Sequence, residues 1–318
     1  MSPAGVTPDP FGAGTLPGMY DVAIIGAGPA GLSGALMADS VGMATCLIES
    51  GPIGGTVAKI GHVTNFLSDA TTGPELAERW TRALEGSGCE LIRDHAVDLT
   101  AVADGWRVRL RSGREIDARY VVVTAGNRWV RLDEHPLIAG VTDGLEVIDF
   151  WPTEYRRILD AAQPLIVGSD RPLGTFVLTV IDEWATESPA WPQVLVLPDK
   201  AHALADVPED VQLDLLYADS VASIGRDDAG FVVKYRRKGV VAEVRASDLI
   251  PNLGTRPNNE LLSPFTTFDH AGYVTGDLPA GLFIAGDLVQ QSHRRIATAV
   301  GEGAHVVLSA YYESEGLL

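Results

Sequence analysis

The chain alternates short apolar runs with glycine-rich turns, and the order of these runs predicts its elements. Tyr20–Ile25 (YDVAII) is a compact apolar run of strand type that ends directly in Gly26-Ala27-Gly28-Pro29-Ala30-Gly31. Leu32–Val41 is rich in small and apolar residues and predicts a helix, after which Ala44–Ile48 predicts a second strand ending on Glu49. Trp106–Ile116 reads as a meander leading into the buried strand Tyr120–Ala125 (YVVVTA), which stops at Gly126. Pro164–Val167, Val194–Leu197, Leu249–Gly254 and Gly281–Ala285 are further strand-like runs, and Arg295–Tyr312 predicts a closing helix. That helix carries small residues at Ala297, Ala299, Gly301, Gly303 and Ala304. Strands interleaved with helices in this way predict an α/β protein.

The first turn carries chemistry as well as shape. In a strand–turn–helix of this kind Gly26 permits the tight turn and Gly28 lets backbone approach a pyrophosphate, while Gly31 lets helix and strand pack closely. The phosphates then sit on the positive end of the helix, where backbone N–H groups lack partners. Glu49, closing the second strand, is placed to accept hydrogen bonds from ribose hydroxyls. Near the other end, the strand Gly281–Ala285 closes in Gly286-Asp287 beside a helix N-terminus. Asp287 can hold a ribitol hydroxyl there, and the helix dipole stabilises charge that develops on a reduced flavin. The cofactor expected is therefore FAD. The fold expected is two Rossmann-like three-layer domains. A discontinuous FAD domain (residues 19–132 and 253–318) surrounds an inserted, degenerate NAD(P)-type domain (133–252), and residues 1–18 form a flexible tail.

Charge narrows the partners. Acidic residues outnumber basic ones 42 to 24 over 318 residues, a formal charge of −18, which repels phosphate backbones and anionic lipid. No apolar run is long enough to span a bilayer, and the first residues have no basic start or apolar core, so a cytoplasmic location is expected. The two cysteines, Cys46 and Cys89, exclude a disulfide scaffold, and the seven histidines show no metal-binding spacing. Arg128 with Arg131, Arg156 with Arg157, and Arg294 with Arg295 are the basic pairs on which an acidic electron carrier could dock.

Taken in order, GAGPAG, Gly54-Gly55 after the acid, Asn65-Phe66, TGPEL (Thr72–Leu76), VVVTAG, GTRPN and AGD followed by R-x-A resemble the low-molecular-weight thioredoxin reductases, within the pyridine nucleotide-disulfide oxidoreductase superfamily. The resemblance covers nearly all of the chain after Gly18. It implies flavin contacts at Gly54, Gly55, Thr56 (where the family has Gln), Asn65, and Arg295-Ile296-Ala297, with Ile296 again in place of Gln. Pro29, Ala30, Ser50, Val97, Ala125 and Gly126 complete the expected cofactor contacts. It also implies a symmetric homodimer paired through the FAD domains.

Three departures change the expected activity. The family's C-x-x-C should fall near Gly144–Phe150 in the inserted domain, and nothing between Leu132 and Leu253 is a cysteine. Without a dithiol no relay passes reducing equivalents from flavin to a substrate disulfide. The second glycine turn reads Gly168-Ser169-Asp170-Arg171-Pro172-Leu173-Gly174, so a carboxylate faces the place where pyrophosphate would lie and Leu173 replaces the third small residue. After the next strand come Pro198-Asp199-Lys200, a poor clamp for the 2′-phosphate of NADPH. The expectation is a flavin-dependent oxidoreductase whose flavin exchanges electrons directly with an external donor (a protein carrier or a deazaflavin) or a small substrate. His293 is the candidate proton donor or acceptor beside the flavin, with Lys59 and His62 as weaker ones. The alternative is a non-catalytic FAD-binding subunit or sensor descended from a reductase.

Overall fold

The computed structural model describes residues 18–168, 192–198, 213–289 and 292–317, together with the isolated positions 173, 176, 177 and 180. The expected N-terminal tail lies outside them, Gly18 excepted. The chain divides into two compact units: Met1–Asn127 with Pro257–Leu318, and Arg128–Arg256. The inserted segment thus runs over residues 128–256, against the 133–252 expected from sequence.

The first unit is built on β1 (Tyr20–Ile25), β2 (Thr45–Ile48), β3 (Glu90–Ile92), β4 (Ala96–Val102), β5 (Gly105–Leu110), β6 (Glu115–Val123) and β16 (Leu282–Ile284), in the order β3-β2-β1-β6-β5-β4 with β16 also on β6. The long β6 serves two layers. Residues 121–123 pair in parallel with β16, and residues 115–118 pair antiparallel with β5. Alternation along β1 sends Val22 and Ile24 to one face and Ala23 and Ile25 to the other. The first face packs against α1 (Pro29–Ser40), α2 (Gly73–Glu85) and α4 (Ile296–Ser314), and the second against the β4–β5 meander through Leu99, Trp106, Val108 and Leu110. Helix α1 starts at Pro29, three residues before the apolar run suggested, because proline's fixed φ suits the first helical position. Helices α1 and α4 meet at backbone distance: a Cβ on Gly303 would lie 1.9 Å from Ala30 O, and one on Gly34 would lie 3.1 Å from a Val307 methyl.

The inserted unit repeats the plan. Parallel strands β8 (Pro164–Val167), β9 (Gln193–Val196), β10 (Asp214–Tyr217) and β14 (Asp248–Pro251) run in the order β10-β9-β8-β14. A separate antiparallel sheet holds β11 (Ser220–Asp227), β12 (Gly230–Arg237) and β13 (Val240–Ala246). Leu165, Val167, Leu195 and Leu249 face that sheet through Val221, Ile224, Phe231 and Val233. Ile166, Val194 and Ile250 face the other way, onto α3 (Tyr155–Asp160) and the buried Leu173, Phe176 and Val177. Where the chain crosses between the units, β7 (Asn127–Trp129) pairs with β15 (Thr255–Pro257).

Candidate cofactor site

The three glycines of the first turn have different reasons to be glycine. Gly26 has φ +107°, and a Cβ there would lie 2.5 Å from Thr124 O. A Cβ on Gly31 would lie 1.8 Å from Gly26 O. Both are dictated by the protein's own packing. Gly28 is not: its φ is −76°, and a Cβ would meet nothing within 4 Å. It caps α1 without a side-chain hydrogen bond, so the first N–H groups of that helix face the same open space. The turn is gripped from below by Thr124, whose hydroxyl donates toward Ile25 O at 2.9 Å and Gly26 O at 2.7 Å.

Glu49 also holds this turn. Its Oε2 accepts the Ala27 N–H at 2.6 Å and its Oε1 accepts the Gly51 N–H at 2.5 Å, leaving further lone pairs on each oxygen for a hydroxyl donor. Gly54 donates its N–H to Ala27 O at 2.8 Å, and Gly55 comes within 3.4 Å of Gly28 Cα by its Cβ direction. The Gly54-Gly55 loop is thereby folded onto the glycine turn, with Thr56 half-buried in the short helical turn that follows and Ser50 exposed at its start. The TGPEL stretch is a helix start: Thr72 caps α2 by accepting the Glu75 N–H at 3.3 Å, and Glu75 accepts the Thr71 N–H at 2.9 Å. Asn65 is exposed in the loop before it.

The C-terminal motif converges on the same place. Ala30, Ala285 and Ala299 form one small apolar cluster, and a Cβ on Gly286 (φ +74°) would lie 3.0 Å from that of Ala30. Gly286 N–H donates to Glu302 Oε2 at 2.8 Å. Asp287 is half-buried, and burial raises its carboxyl above the usual carboxylate range while Arg294 draws it back. Asn127, its amide oriented to satisfy both neighbours, donates to Asp287 O at 3.2 Å and accepts from Arg294 Nη1 at 2.7 Å. A small pocket lined by Asp287, His293, Arg294, Thr298 and Glu302 opens here. Ala125 and Gly126 approach from β6, held by Asn258, which donates to Ala125 O at 2.8 Å and to Gly126 O at 2.9 Å.

The R-x-A stretch distributes its residues unevenly. Arg294 reaches Asn127 and influences Asp287, whereas Arg295 is exposed at the N-cap of α4 with Nη1 on Arg294 O. Ile296 turns into an apolar cluster with Val57, Val63, Ala70 and Leu76, which accounts for an aliphatic residue where the resembled family has Gln. Ala297 is exposed in the first turn of α4. His293 is exposed and holds φ +60°, an uncommon conformation for a residue with a Cβ. Val97 lies apart from these contacts on β4, 37% exposed. Thr124, Asn127, Asn258, Arg294 and Glu302 are the site-shaping residues that the sequence reading did not select as cofactor contacts.

Asp170, Gly174, Asp199 and Lys200 lie outside the described residues. Leu173 is fully buried against β8 and β14, in the apolar layer of the inserted unit. Neither cysteine is a poised nucleophile. Burial pushes the Cys46 thiol well up and Cys89 up to about 12. The basic pairs expected to attract an acidic carrier are largely neutralised in place. Arg128 pairs with Glu134, Arg131 with Asp133, Arg156 with Asp160 and Arg157 with Glu154. Among the described residues no His/Cys/Asp/Glu group could hold a metal ion, and no helix is long and apolar enough to cross a membrane.

The fold is that of a two-domain, thioredoxin reductase-like α/β protein, and the chain is similar in sequence to flavin-dependent oxidoreductases of that type. A family model described as FAD-NAD(P)-binding matches residues 61–128. The chain is 25% identical over 317 residues to a thioredoxin reductase of Peptoclostridium litorale, covering 92% of this chain and 96% of that protein. In three dimensions it is similar to the Lactococcus lactis thioredoxin reductase in its FR conformation (TM-score 0.73, 22% identity, 94% of this chain and 100% of that one). It is also similar to the T. acidophilum thioredoxin reductase (TM-score 0.69, 19% identity, 94% and 99%).

Proposed function

We propose that the first unit binds FAD and that electrons reach and leave it directly, from an external donor or a small substrate, without a dithiol relay. The observation that carries the FAD reading is Gly28. The turn keeps glycine at a position where the protein itself has room for a side chain. The reason for glycine there lies in something that must approach the backbone, and a pyrophosphate on the α1 N-terminus meets that description. The neighbouring groups suit the rest of the molecule: Glu49 for a ribose, Asp287 for the ribitol, and the α4 N-terminus for the electron-rich edge of the ring. FAD, when bound, supplies one- and two-electron chemistry. The chain's own groups orient it. Glu49 and Thr124 fix the turn, Asn127 and Arg294 set the charge around Asp287, and Asn258 holds the Ala125-Gly126 backbone.

The absence of a relay is supported by where the two cysteines lie. Both are in the first unit, on or beside β2 and β3, and burial disfavours both thiolates. Anaerobic reduction of the yellow protein tests the reading. Dithionite is expected to bleach the flavin, while micromolar NADPH or NADH leaves it oxidised or bleaches it slowly, and Cys46→Ser and Cys89→Ser behave as the parent does. Rapid bleaching by NADPH, or thioredoxin reduction abolished by either cysteine substitution, would refute it. A symmetric homodimer is part of the same proposal, and light scattering that finds only single chains at micromolar concentration removes that part.

A further inference from the structure

The β12–β13 hairpin concentrates positive charge in a chain whose formal charge is −18. Four of the five residues Lys234, Tyr235, Arg236, Arg237 and Lys238 are cationic. Alternation buries Tyr235 with Phe231 and Val233 and leaves Lys234 and Arg236 on the exposed face. The register sets Val241 opposite Arg236 and Val240 opposite Arg237, and these valines are 51% and 68% exposed. Arg237 lies over the ring of the exposed Tyr217, 5.9 Å from its centroid. Two carboxylates are near. Glu243 is opposite Lys234 in register but pairs with Arg245, and Asp219 accepts the Lys238 backbone N–H at 2.6 Å. Among the described residues Lys234, Arg236, Arg237 and Lys238 take no part in an ion pair, unlike the arginine pairs at positions 128 and 131 or 156 and 157.

The turn itself adds a second observation. Lys238 has φ +50° and Gly239 has φ +80°, so the two-residue loop is left-handed at both positions. Such turns favour Asn, Asp or Gly first, and a lysine there is held against its preference. Stability alone does not select it.

We propose that this hairpin tip, with Tyr217, is a docking surface for a partner protein that presents a carboxylate-rich face. Its chemistry is that of a protein interface: an aromatic ring stacked by arginine and exposed aliphatic side chains, surrounded by unneutralised cations. A bilayer or a nucleic acid presents an extended anionic surface that meets the whole −18 molecule, whereas a compact acidic protein can be steered onto one local patch. The inference goes beyond the redox reading and holds whatever the partner carries.

The test uses the full chain with its flavin and a fluorescent peptide of about twenty residues, mostly glutamate with a few phenylalanines. Anisotropy is read at about 20 mM and about 200 mM salt, ionic strengths between which charge attraction is strongly screened. Expected is binding at low salt that weakens with added salt and falls about tenfold or more in R236Q/R237Q. R156Q, whose charge is already met by Asp160, is expected to bind as the parent does. Lys238→Asn is expected to weaken binding and raise the unfolding temperature, which separates loss of the surface from loss of the fold. Phosphatidylserine vesicles and duplex DNA are expected not to bind. The proposal is overturned if the peptide fails to bind at low salt or binds R236Q/R237Q equally. Vesicle or DNA binding that the same substitutions remove would overturn it too, as would self-association of the chain that they abolish, since the occupant would then be a membrane, a nucleic acid or a second copy.

Discussion

At the scale of single residues, the glycine turn separates positions that the fold's own packing dictates from one, Gly28, that it leaves free. Gly31→Val places atoms where Gly26 O already lies and is expected to prevent folding or to cost several kcal/mol (about 3 or more). Gly28→Val has room in the protein, so it is expected to leave circular dichroism and the unfolding temperature of the apoprotein unchanged while abolishing the yellow colour. Full flavin retention by Gly28→Val would remove the pyrophosphate assignment. Asn252 offers a second residue-level test. It is fully buried after β14, and neither amide atom of its side chain has a hydrogen-bond partner. An unmet buried amide costs about 1–3 kcal/mol, so Asn252→Leu is expected to raise the unfolding free energy by an amount in that range and to move the urea midpoint upward. An unchanged or lower midpoint would show that the amide is satisfied in solution. The glycines were legible in the sequence because the strand, turn and helix that surround them are contiguous and their spacing is itself the signal. Thr124, Asn258 and Glu302 were not, since each acts on a turn distant in sequence and looks like any polar residue until the sheet and helices bring it there.

At the scale of elements, patterning located the parallel strands well and the antiparallel ones less so. β2, β8, the 22–25 stretch of β1 and the 120–123 stretch of β6 are continuous, mostly apolar and buried, which is how strands buried on both faces read. β11 to β13 alternate apolar with charged residues, as in Phe231, Val233 and Tyr235 between Lys234 and Arg236, and such half-buried strands leave a weaker trace. The short turn after β7 carries a pH-sensitive contact of its own. Arg128 makes a two-pronged bond to Glu134 and holds its carboxyl below the usual range. A carboxylate with a depressed folded value adds stability above its unfolded value, near 4.5, and loses it as pH falls through the folded value. Arg128→Gln is therefore expected to lower the urea midpoint at pH 7, with the gap from the parent closing as pH falls below about 4.5. A gap that stays constant down to pH 3 would assign the loss to packing instead.

At the scale of the whole molecule, the resemblance fixed the class but the departures from it fixed the chemistry to be tested. The first unit brings the Gly26 turn, Glu49 and Asp287 into one region, and its two thiols, Cys46 buried and Cys89 half-buried, are both raised by burial. The inserted unit keeps the strand order of a nucleotide-binding sheet, with Leu173 packed where a glycine turn would bring its helix close.

The contact between Gly303 and Ala30 O has a consequence for how the protein is made. The first helix cannot cover its small-residue face, nor can the turn meet Gly286, until the segment from Gly281 to Ser314 has been synthesised. At about 5–20 residues per second, more than ten seconds separate the two events on the ribosome. During that interval α1 and α2 alone cover the apolar face of the N-terminal strands, without Val307 and Ala310 of α4. Completion of this packing is then a late event in synthesis, long after the glycine turn has left the ribosome.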